Sequence, residues 1–122
     1  MTYPDISLKD AVRAANWAQL LDPVQLARVE ADVFETFVPK GGFVCRKGEP
    51  VDNWIGVISG MVKMNNFSAS GKAMTFIGVP PGSWFGEGSL LKNEIRKYDT
   101  MALCDTRVAR LPGATFHWLL YV

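Results

Sequence analysis

The sequence predicts a mainly β protein with flanking helices, and three observations carry that prediction. Residues 1–33 repeat their apolar side chains at helical spacing. Beyond Phe37-Val38-Pro39-Lys40-Gly41-Gly42 the texture changes to short apolar runs separated by glycine and polar turns, the mark of antiparallel strands. Those runs recur at regular intervals, which implies a sandwich or barrel.

Taken in order, Leu8, Val12 and Ala15 mark a first helix. Asp22-Pro23 opens a second, because aspartate accepts from the first backbone N–H groups and proline's fixed φ suits the first helical position. Its buried stripe is expected to be Leu26, Val29 and Val33, with Arg28 and Glu30 exposed. Residues 1–33 are thus a helical segment packed on a β body that spans 34–111. Strands are expected at 43–46, 54–59, 61–67, 73–79, 98–102 and 106–111. Between the third and fourth, Ser68-Ala69-Ser70-Gly71-Lys72 reads as a hairpin turn, with Gly71 supplying the positive φ. Residues 112–122 read as the start of a helix with Phe116, Leu119 and Leu120 on one face. Trp118, Leu119, Leu120, Tyr121 and Val122 need cover, so a longer parent protein is expected.

Composition narrows the function classes. The 122 residues suit one domain, and 48% hydrophobic content, 20% charged residues and a net charge of +1 describe an ordinary globular chain. Thirteen basic residues against twelve acidic ones lack the basic excess of a nucleic-acid binder. No apolar run reaches the length of a membrane span and no signal peptide opens the chain, so a cytoplasmic location without a membrane partner is expected. Cys45 and Cys104 are expected to be reduced thiols, and with one histidine, His117, the ligands for zinc or an iron–sulfur cluster are too few. His117 also lacks an evident Ser/His/acid arrangement, so no enzyme and no metal are expected.

The chemistry concentrates in Trp84-Phe85-Gly86-Glu87-Gly88-Ser89-Leu90-Leu91 and in Arg96. An ionised glutamate only accepts hydrogen bonds and can hold a sugar hydroxyl, whereas a guanidinium offers a fork of donors that fits a phosphate. Gly86 and Gly88 let backbone approach a ligand, and amides opening a helix favour an anion.

In their order these residues resemble the cyclic-nucleotide-binding domain of the bacterial Crp/Fnr transcription regulators, over roughly residues 20–122. Val44-Cys45-Arg46-Lys47-Gly48-Glu49, the apolar run 54–58 and Gly60 look like the family's first glycine-anchored turn and strand. Gly71-Lys72 and then Pro81-Gly82-Ser83-Trp84-Phe85-Gly86-Glu87 look like its hairpin and the approach to its phosphate-binding cassette. Arg96, with Ala102 six residues on, and the closing Val108-Ala109-Arg110-Leu111 complete the series.

The resemblance implies a double-stranded antiparallel β-roll, jelly-roll-like, of the cyclic-nucleotide-binding domain type. Its ligand would be a cyclic nucleotide, cAMP or cGMP, with Glu87 on the ribose hydroxyl and Arg96 on the cyclic phosphate. Gly86 and the backbone of Gly88 and Ser89 would complete the cradle; Lys97 either adds a second cation or points to solvent, and Met64 and Phe76 either line the base or are ordinary core side chains. It also implies an effector domain that controls DNA binding through a long dimerisation helix and a helix-turn-helix domain, neither of which has a counterpart in this sequence, in a homodimeric full-length protein.

The departures are specific. Lys97 and Tyr98 stand where the family has small residues, and Tyr98 is a candidate to block the pocket. The loop Lys92-Asn93-Glu94-Ile95 is about one residue short and lacks the proline that precedes the family's arginine. These changes support an alternative: the same fold with a closed or retuned pocket, serving as a dimerisation or interaction platform or sensing another anionic metabolite. The family's iron–sulfur and haem branches do not match, because no cysteine precedes Cys45 and His117 lies beyond the roll.

Overall fold

Helix starts and turns are set by local chemistry. A computed structural model describes residues 6–67 and 74–121, with the side chains at 66, 67 and 74–76 outside that description. The expected turn at Gly71-Lys72 and the side chain of Phe76 therefore lie outside the described residues. Helix α1 (Leu8–Ala14) is capped by Ser7, whose hydroxyl accepts from the Asp10 N–H at 3.0 Å. A 3-10 turn, Asn16–Leu20, leads to α2 (Pro23–Asp32). Asp22 and Gln25 form a reciprocal capping box at its start, at 2.8 and 2.9 Å. Val29 and Val33 of the expected stripe are buried, while Leu26 is half-buried. Glu30 is not free in solvent as expected, because Arg13 of α1 holds it at 2.6 Å.

Eight strands follow: β1 (Phe34–Val38), β2 (Phe43–Cys45), β3 (Asn53–Ser59), β4 (Val62–Phe67), β5 (Met74–Val79), β6 (Trp84–Phe85), β7 (Asp99–Ala102) and β8 (Thr106–Pro112). They form two four-stranded antiparallel sheets in the orders β1-β8-β3-β6 and β2-β7-β4-β5. A short helix α3 (Glu87–Lys92) follows β6, and α4 (Gly113–Leu120) ends the described chain. This is the expected β-roll with flanking helices, and it adds β1 and β6 to the strands expected from sequence. Among the described residues no helix is long and apolar enough to cross a membrane.

The continuous apolar run in β3 arises because both its faces are covered. Ile55 and Val57 point into the roll with Val62, Phe85, Ala102 and Val108. Trp54 and Ile58 point the other way, into a second core with Val12, Val29, Leu111 and Phe116 from the helices and β8. Gly56 lies between them on the helix side, paired with Trp84 of β6. A Cβ at Gly56 would overlap the Trp84 indole, so glycine here permits the close approach of ring to backbone. Of the apolar C-terminal residues, Trp118 is half-covered by the Arg28 guanidinium, 4.3 Å above its ring, and Leu119 packs on the helix-side core. Leu120 and Tyr121 are exposed.

An ion pair fastens the edge strand β1. Arg107 on β8 meets Glu35 with two parallel N–H···O bonds of 2.8 Å, and its Nη1 donates to the Ile6 carbonyl at 2.6 Å. The hydrogen bond from Arg107 holds the Glu35 carboxyl below its usual value, against a smaller opposing effect of burial. A carboxyl depressed in the folded state stabilises above its unfolded value and loses that contribution as pH falls through the folded one. Denaturant midpoints measured across a pH series are therefore expected to fall below pH about 4.5 in the native chain, and Glu35→Gln should be less stable at neutral pH with a shallower acid limb. Parallel curves for the two proteins would contradict this role.

Candidate functional site

The site is built where β6 turns into α3. Phe85 enters the roll and pairs with Ile55, Gly86 follows at φ +91°, and Glu87 opens the helix. No side chain caps α3. The geometry of a helix start leaves the N–H groups of Glu87, Gly88 and Ser89 without intrahelical acceptors. These are the backbone groups of the Gly-Glu-Gly-Ser motif.

Arg96 lies beneath this turn. Its backbone is clamped on both sides by the 46–49 turn: its N–H donates to the Glu49 carbonyl at 2.7 Å, and its own carbonyl accepts from the Gly48 N–H at 2.8 Å. The side chain is 6% exposed, and Nη2 donates to the Asn53 carbonyl at 2.9 Å. A Cβ at Gly86 would overlap Arg96 Nη1, so a side chain there has to displace the end of the guanidinium. Glycine is required here twice over, for its left-handed φ and for the space the guanidinium occupies.

Glu87 points elsewhere. It is exposed and accepts from the Trp54 indole Nε1 at 3.3 Å, and it forms no ion pair with Arg96 among the described residues. Trp54 belongs to an aromatic cluster with Trp17, Trp84 and Phe116, at centroid distances of 4.9, 5.0 and 5.2 Å. Sequence reasoning missed this link between the cassette and the helices. Tryptophans at 17, 54 and 84 share no local pattern, and only the fold brings them together.

A small cavity of about 50 Å³ lies inside the roll under Gly86, walled by Met64, Ser89, Arg96, Lys97, Tyr98 and Thr100 among others. An outer cleft of about 350 Å³ runs past Glu87, Gly88, Lys92 and Glu94 and shares Phe85, Gly86, Ser89, Lys97 and Tyr98 with the inner one. The Lys97-Tyr98 segment thus forms a wall of both. Gly86, Ser89, Arg96, Lys97, Met64 and Tyr98 converge on the inner cavity, while Glu87 and Gly88 face the outer cleft.

Lys97 pairs with Glu94 at 3.0 Å in solvent, and their hydrogen bond raises the lysine and lowers the glutamate from their usual values. Met64 also packs against the roll core. On the floor, the Cys45 thiol lies 2.7 Å from the Thr100 hydroxyl, and burial pushes its pKa up despite the nearby arginines. Both cysteines are free thiols. Among the described residues no three His, Cys, Asp or Glu side chains gather to hold a metal.

The β-roll places a helix start over a buried arginine. The chain belongs to the cyclic nucleotide-binding domain family, whose model matches residues 35–121. It is 28% identical over 125 residues to a cyclic nucleotide-gated potassium channel of Mesorhizobium japonicum, a match that covers 96% of this chain and 33% of the channel. The chain therefore spans a third of that curated relative. Its fold superposes on the N-terminal domain of a transcriptional regulator from Streptomyces coelicolor A3(2), with TM-score 0.74 and 26% identity over 92% of this chain and 78% of that one. It also shares the fold of the regulatory domain of Toxoplasma gondii PKA crystallised with cAMP, with TM-score 0.78 and 23% identity over 91% and 42% of the two chains.

Gly86→Ala should push Arg96 out of its place and force a left-handed alanine, at a cost of about 1–3 kcal/mol. Urea denaturation of the variant checks this, and an unchanged midpoint would show that Arg96 is not locked by the turn.

Proposed function

We propose that this chain is the effector-sensing domain of a Crp/Fnr-type transcription regulator and binds a cyclic nucleotide, cAMP or cGMP, over Gly86, Glu87, Gly88, Ser89 and Arg96. The observation that carries the reading is Arg96, a buried cation fixed directly beneath the uncapped first turn of α3. The guanidinium shares the inner cavity with Ser89, and Gly88 lies next to it on the outer side of the same turn, a set of donors that suits a phosphate diester. Glu87, on the outer side of the same turn, can exchange its indole partner for a ribose hydroxyl. Lys97, released from Glu94, would supply a second cation, and Met64 would line the base. The output is control of DNA binding through a helix-turn-helix domain of a homodimeric, cytoplasmic full-length protein. The reaction is switching by differential binding, with no catalysis.

A second reading has its own observation. The cavity of about 50 Å³ under Gly86 is far smaller than the roughly 300 Å³ that begins the usual range for ligand pockets, and Tyr98 forms part of its wall. A nucleotide seated in the outer cleft must therefore displace the Lys97-Tyr98 segment, which walls both spaces, to reach Arg96. If it does not, the domain is an interaction platform or senses a smaller anionic metabolite. The channel relative supports a third output for the same sensor, the gating of an ion pathway.

Calorimetric titration with cAMP and cGMP separates the readings. Saturable heat is expected with at least one nucleotide, with affinity reduced about 10- to 100-fold in Glu87→Gln and binding abolished in Arg96→Ala. No heat with either nucleotide at millimolar concentration would overturn the cyclic-nucleotide reading.

A further inference from the structure

Arg96 has a second face. On the side away from Ser89 and Tyr98 it walls a separate cleft of about 440 Å³, whose other walls include Thr36, Glu49, Asp52 and Arg110. This cleft and the small cavity under Gly86 share only Cys45 and Arg96. Arg110 reaches it from β8, where it pairs with the inward-facing Ile55 and so points into the end of the roll. Its Nε donates to the Thr36 hydroxyl and its Nη2 to the Val44 carbonyl, each at 3.0 Å. These acceptors, like the Asn53 carbonyl on Arg96, are neutral.

The cleft also contains two carboxylates, each with one oxygen bonded to another donor. Glu49 Oε1 accepts from the Arg46 N–H, and Asp52 Oδ1 accepts from the Asn53 side-chain amide at 3.1 Å. Among the described residues neither forms an ion pair with Arg96 or Arg110. Neither guanidinium has a directly bonded anion, and Glu49 and Asp52 offset their charge only through space, although removing charge from water is costly unless it is paired. Burial lowers the Arg110 pKa from its usual value and the Arg96 charge adds to the effect, while Cys45, Asp52 and Glu49 oppose it.

We propose that the cleft between Arg96 and Arg110 is a second ligand site, distinct from the Gly86 cassette, and that it takes a small organic carboxylate. The planar fork of each guanidinium matches a carboxylate. Glu49 and Asp52 at the same cleft disfavour additional negative charge, which selects a monoanion. The volume exceeds that of acetate, and Phe34 and Pro50 offer apolar contact to a short tail. Because Arg96 walls both sites, occupancy of one changes affinity at the other by a reciprocal factor.

The test is a titration of the whole 122-residue chain with sodium acetate against sodium chloride at matched ionic strength and neutral pH, read by the Nε–Hε resonances of arginine. Saturable shifts of the Arg96 and Arg110 signals with acetate, absent with chloride, are expected. A rise in the thermal midpoint with acetate should accompany them and be lost in Arg110→Gln but kept in Arg28→Gln, whose arginine lies over Trp118 outside the cleft. Equal shifts with both salts, shifts that do not saturate, or loss of the response in Arg28→Gln would overturn the site. Should Arg110→Gln fail to fold, the resonances of the native chain decide alone.

Discussion

The guanidinium of Arg96 folded against Gly86 is the contact on which the site depends. It joins three segments far apart in sequence: the 46–49 turn through the Arg96 backbone, β3 through the Asn53 carbonyl, and the β6–α3 turn through the missing Cβ. A buried arginine needs acceptors, and backbone carbonyls supply one without neutralising its charge. The charge is thus left available on both faces of the side chain. One face looks to the helix start, and the other to the cleft shared with Arg110.

The carboxylate of the cassette is tied to a different part of the molecule. Glu87 bonds Trp54, Trp54 stacks near Trp17 and Phe116, and those rings belong to the N-terminal helical segment and to α4. Any ligand that takes Glu87 must compete with the indole N–H. One hydrogen bond and these ring contacts make a contiguous chain of packed groups from the cassette to the helices.

Much of this was legible in the sequence because it is written in local chemistry. Asp22-Pro23 declares a capped helix, glycines mark the turns, and Gly86-Glu87-Gly88-Ser89 marks a tight turn into a short helix. What was not legible depends on pairing across the chain. β1 escaped because its edge position leaves Phe34 and Phe37 exposed, so Phe34-Glu35-Thr36-Phe37-Val38 shows no clean alternation. β6 is two residues long and exists only through its bonds to Ile55 and Gly56. The direction of Glu87 toward Trp54, and the second face of Arg96, are consequences of packing that no spacing rule encodes. Lys97 and Tyr98, which replace small residues, line the small inner cavity, while the Lys97 ammonium turns to Glu94.

The central claim is that Arg96 and the first turn of α3 form one anion cradle. A crystal structure of the chain grown with cAMP tests it most directly. The expected result is a phosphate held by the Arg96 guanidinium and the Gly88 and Ser89 N–H groups, with Tyr98 displaced from its present wall. A nucleotide bound elsewhere, or an unoccupied cassette with Tyr98 unmoved at saturating cAMP, would contradict it.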